Sequence, residues 1–156
     1  MEFWLSWILL GVLALLLLAA CWFDVKARTI PNALNLAIAA LAVPFWWTIG
    51  LAFWPDAFTQ IGIAALVLFV FALAFAIGAM GGGDVKLIAA VALWLPAPAV
   101  MLLIFIMSLA GGVLTAAMYL RHKFAKRTGQ LEIPYGLAIA FGGLWLISER
   151  FLNQFG

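Results

Sequence analysis

Two aspartates stand out in a chain that is otherwise nearly free of charge. Asp24 ends a long apolar run and opens the stretch Asp24-Val25-Lys26-Ala27-Arg28-Thr29-Ile30-Pro31-Asn32. Asp84 closes the triplet Gly81-Gly82-Gly83 and precedes Val85-Lys86-Leu87. A carboxylate inside or at the end of an apolar span is costly to keep there, and it marks a candidate site for that reason. Two carboxylates that meet disfavour being charged together. They can therefore divide the acid and base roles of a reaction on water.

The solvent of this chain follows from its composition. Of 156 residues, 69% are hydrophobic and 9% charged, and the mean hydropathy is +1.23. A soluble domain of this size carries about 25% charged residues. The expectation is an integral membrane protein of the all-α class, with residues 1–156 forming one bundle and no separate soluble domain. The net charge of +2 points to no anionic partner. No basic patch interleaved with aromatics supports nucleic-acid binding. The single Cys21 excludes an internal disulfide and any zinc site built on several cysteines. Leu18-Ala19-Ala20-Cys21 has the form of a lipid-attachment signal, but Glu2 stands where a basic segment belongs. Cleavage there would also leave Lys26 and Arg28 outside, so Cys21 is expected to stay unlipidated.

Six apolar runs position the two aspartates: Phe3–Phe23, Ala33–Gly50, Phe58–Met80, Val85–Leu95, Ala97–Leu120 and Tyr135–Phe151. Most approach the ~20 residues that a spanning helix needs. The loops sort by charge. Those between runs one and two, three and four, and five and six hold Lys26, Arg28, Lys86, Arg121, Lys123, Lys126 and Arg127, seven of the eight basic residues, which leaves Arg150 for the other side. Basic loops face the cytoplasm. Six transmembrane helices with both termini outside follow, and both aspartates come to the cytoplasmic leaflet. Trp4, Trp7, Trp46, Trp47, Trp54 and Trp94 then fall near the outer ends, as an interfacial belt. The fourth run is short. Eleven helical residues rise about 17 Å against a hydrocarbon core of ~30 Å, which sets Asp84 below the inner surface, in a cavity between helices.

Each feature also has a plain structural explanation. Asp84 could be an ordinary helix N-cap. The glycines could cradle a phosphate, but an anion follows them and no strand can precede them. Lys86 is two residues on from Asp84, so the two do not share a helical face. Asp24 alone could be a surface residue. Pro31 is placed to start the second helix, and Asn32 to bond backbone there. Taken as residues, the pair fits a protease, an ion- or proton-coupled transporter, or an assembly subunit in which the aspartates only cap helices.

Together, the segments resemble the type IV prepilin peptidase family, the membrane aspartic proteases with a G-x-G-D signature. Asp24 with Ile30, Pro31 and Asn32 matches the first family segment. Gly81, Gly83 and Asp84, with Lys86, match the second. Ile133-Pro134-Tyr135-Gly136 resembles a further family segment at the start of the last helix. The resemblance implies that Asp24 and Asp84 are catalytic, activating water without a covalent intermediate, and that no metal or organic cofactor is needed. It also implies that prepilins or pseudopilins are the substrates, cleaved at the cytoplasmic face of the bacterial inner membrane. Ile30, Pro31, Asn32, Gly81, Gly83, Lys86, Pro134, Tyr135 and Gly136 would bind substrate or shape the site. Larger members carry a long insertion with paired cysteines between the first two spans and are associated with N-methylation. Here that loop is short and lacks cysteine, so the chain resembles the peptidase-only branch serving Flp/Tad-type pili. The glycines before Asp84 are expected to clear a passage for unwound substrate backbone, so that Gly83→Val impairs cleavage more than folding.

Overall fold

A computed structural model describes residues 2–124 and 133–155, with side chains over 4–124 and 133–150. Lys126 and Arg127, which contribute to the basic bias, lie outside the described residues. The described chain is helical, and no strand occurs in it. Its helices are α1 (Glu2–Ala27), α2 (Asn32–Thr48), α3 (Phe58–Ala76), α4 (Gly82–Ala92), α5 (Ala97–Phe124) and α6 (Tyr135–Phe155), with an irregular turn over Phe53–Ala57 before α3. Three segments are long and apolar enough to cross a membrane: Trp4–Ala27, Phe53–Ala76 and Ala97–Phe124. Asn32–Thr48 is a shorter apolar helix.

The helix ends differ from the sequence expectation in ways that matter for the site. α1 continues past Phe23 to Ala27, so Asp24 lies within its last turn and not after it. Arg28 then turns the chain at φ 55°, with its N–H on the Asp24 carbonyl at 3.0 Å. α3 ends where Gly78 adopts φ 74°, a left-handed conformation that glycine takes without a Cβ penalty. The Gly78 and Ala79 N–H groups close this end on the carbonyls of Phe75 and Ala74, both at 2.9 Å. That turn leads directly into Gly81.

The short helix α4 is the centre of the bundle. It packs against α2, α3 and α6, while α1 and α5 reach it mainly through their contacts with α6 and α2. Val85 and Leu87 to Ala92 are all buried. A helix that stops inside apolar surroundings leaves carbonyls with no water to receive them. Side chains meet that need. Gln60 Nε2 donates to the Ala92 carbonyl at 2.7 Å and also to that of Leu95. Trp46 Nε1 donates to the Leu93 carbonyl at 2.8 Å, and Trp94 Nε1 to that of Ile38 at 2.9 Å. Two of the expected belt tryptophans therefore point inward. Trp94 is buried and stacks on Phe45 at 4.9 Å, whereas Trp4, Trp47 and Trp54 are exposed.

Candidate active site

At the opposite end of α4 the α1–α2 loop, the α3–α4 turn and the start of α6 come together. Asp24 and Asp84 are 4% and 7% exposed, and with Asn35 and Gln60 they are the buried polar side chains of the described core. Asp84 is not the cap of α4. The helix starts at Gly82 with Gly81 as its N-cap, so Asp84 lies in the first turn. From there its carboxylate turns back toward Gly81.

Asp24 bonds a different helix. Its Oδ2 accepts the Leu137 N–H at 3.2 Å and lies close against Gly136. These groups belong to the first turn of α6, whose unpaired N–H groups and dipole favour an anion. Asp84 lies close enough to Asp24 for their charges to repel each other. The start of α6 thus lies beside two buried carboxylates that come from helices far apart in sequence.

The room for this is specific to glycine at two positions. A Cβ on Gly136 would lie 2.7 Å from Asp24 Oδ2 and 2.8 Å from Ile30 Cδ1. On Gly81 it would lie 2.9 Å from Asp84 Oδ2. Gly83 differs from expectation, because it does not face an open passage. A Cβ there would sit 3.3 Å from both the Cβ and the backbone N of Ile30. Its missing side chain lets the α1–α2 loop lie against α4. Gly83→Val is therefore expected to force that loop away and to lower thermal stability in detergent, and unchanged melting would contradict the contact.

Most of the remaining sequence candidates gather here. Ile30 is buried between Gly83 and Gly136. Pro31 directly precedes α2, whose first residue is Asn32. The Asn32 side chain caps no backbone. Its Oδ1 instead accepts a bond from Lys86 Nζ at 2.8 Å, which gives that lysine a partner across the α2–α4 contact. Pro134 is buried just before α6. Tyr135 turns away from the pair. Its ring packs over Gly111 of α5 and borders a cavity of about 700 Å³ between α3 and α5, which Met80, Met107 and Thr115 also line.

A family description covers residues 11–116, a span that includes both aspartates: the type IV leader peptidase family. The chain belongs to this family. A curated relative from Neisseria gonorrhoeae, named prepilin leader peptidase/N-methyltransferase, is 32% identical over 150 residues. The match covers 91% of this chain and 49% of the relative, so the chain spans about half the length of the relative it matches. No solved structure matches significantly.

Two features of this leader peptidase family chain were not singled out in the sequence. One is the Leu137 N–H, a backbone donor that any residue type supplies. The other is Asn35, buried on α2, whose Nδ2 donates to the Gly83 carbonyl at 3.2 Å. Its signal is a second amide one helical turn after Asn32 in an otherwise apolar helix.

Proposed function

We propose that the chain is a membrane-embedded aspartic endopeptidase, which removes the basic leader from prepilins or pseudopilins. The observation that carries this reading is the meeting of two buried carboxylates beside the start of α6. For stability alone this is a poor arrangement. A neutral Asn or Ser caps a helix start as well, whereas two buried like charges work against each other. As a catalytic pair the arrangement has a use. One carboxylate, ionised, takes a proton from water. The other, protonated, donates to the scissile carbonyl and later passes its proton to the leaving amine. Which aspartate starts with the proton is a property of the pair.

The family membership supports the substrate class, and the short Asp24–Asn32 connection without cysteine supports a peptidase-only role of the Flp/Tad type. The remaining parts of the reading are six transmembrane helices in a single domain, both termini outside, and an active site facing the cytoplasm of the bacterial inner membrane. Fusing a reporter active on only one side of the membrane to each terminus tests the topology. Cytoplasmic signal from either end would overturn it. The function itself is tested by incubating the purified protein, in lipid vesicles, with prepilins that carry a basic leader before an apolar helix. Release of the leader, seen as a shortened pilin by mass spectrometry, is the expected result. A folded protein that cleaves none of them would refute the proposal.

A further inference from the structure

The polar contacts between α2 and α4 bracket Asp84. Asn35 Nδ2 holds the Gly83 carbonyl, one residue before it, and Asn32 Oδ1 holds Lys86 Nζ, two residues after it. Asn32 and Asn35 are three residues apart, so they share one face of α2. Apolar packing leaves a helix in lipid free to slide and roll, since its side chains are as content against acyl chains as against protein. Directional bonds remove that freedom. At the far end of α4 the same service comes from Trp46 and Gln60.

We propose that Asn35 is a positioning residue for the aspartate pair: its amide fixes the height and roll of the first turn of α4, and so brings the Asp84 carboxylate beside Asp24. A second observation separates this role from mere stabilisation. The Asn35 Oδ1 is fully buried and has no hydrogen-bond partner. A buried acceptor without a donor is a standing cost, comparable to or larger than the gain from the one bond that Nδ2 makes. An apolar residue of the same size would remove both terms at once. Asn35 is thus a poor choice for folding and a good one for holding Gly83. The Asn35–Gly83 bond lies next to the Gly83–Ile30 contact, so the amide and the loop grip the same residue from α2 and from its entry.

The role rests on the peptidase reading, and the test separates the two. Asn35→Leu is compared with the parent and with Trp46→Phe, which breaks a bond at the opposite end of α4. Asn35→Leu should melt at or above the parent temperature, yet show kcat lower by about 30-fold with KM nearly unchanged. Trp46→Phe should lose thermal stability and keep kcat per folded molecule. An Asn35→Leu enzyme with parental kcat would overturn the proposal. So would a loss of kcat that Trp46→Phe matches. Should the parent cleave no prepilin, the peptidase reading falls, and geometry still decides the role of Asn35. In a Cys21→Ser background carrying Asp24→Cys and Asp84→Cys, a short bis-methanethiosulfonate should bridge the two thiols. Adding Asn35→Leu should lower the bridged fraction several-fold, and an unchanged fraction would show that Asn35 positions nothing.

Discussion

Gly136→Ala is expected to cut leader cleavage by about two orders of magnitude while leaving the bundle folded. The added Cβ would stand 2.7 Å from Asp24 Oδ2 and 2.8 Å from Ile30 Cδ1, inside any normal contact distance. Both of these atoms are side-chain ends, so they can retreat without dragging the helices. Alanine also suits the second residue of α6 better than glycine does, by about 1 kcal/mol of helix propensity, which offsets part of the strain. The damage therefore falls on the carboxylate. Asp24 must swing off the Leu137 N–H, and a misplacement of about 1 Å in a reacting group costs about 10²-fold. Cleavage rate measured beside the melting temperature checks this. Parental cleavage by the alanine variant would show that the close approach at Gly136 is only packing.

A larger loss is expected from Asn at either aspartate, about three orders of magnitude each. The substitution keeps size and leaves an acceptor. In Asp24→Asn the amide oxygen can still take the Leu137 N–H, so the first turn of α6 keeps its cap. In Asp84→Asn it can still turn back toward Gly81. What disappears is the proton cycle. Removing one of two buried, mutually repelling charges also relieves an electrostatic cost, so neither variant should melt below the parent. Loss of activity with stability held or raised separates a catalytic pair from a pair of helix caps.

Much of this was legible in the chain. Hydropathy showed the helical class, because long apolar runs have few other ways to satisfy their backbone in lipid. The charge bias and run count sent both aspartates to one end of the bundle, where the structure buries them close together. The motif at Ile133 to Gly136 was legible as a segment, but its work was not. That the start of α6 gives an N–H to Asp24 and leaves room for its carboxylate at Gly136 depends on how α6 docks, and no spacing records that. Gly83 was misread for a related reason. A glycine beside a catalytic candidate suggests room for substrate, yet the atoms that fill the space are those of Ile30, distant in sequence. Trp46 and Trp94 look like belt residues because tryptophan favours interfaces. Here the Leu93 carbonyl at the end of a half-length helix takes the N–H of Trp46, and the Ile38 carbonyl within α2 takes that of Trp94.

Joint cleavage of the leader by the two buried carboxylates is best tested by a single-turnover assay in lipid vesicles, with the parent, Asp24→Asn and Asp84→Asn proteins run side by side on one prepilin, each with its melting temperature. Leader release by the parent alone is expected, with both Asn variants folded and at background. A folded Asn variant that releases leader at close to the parental rate would contradict it.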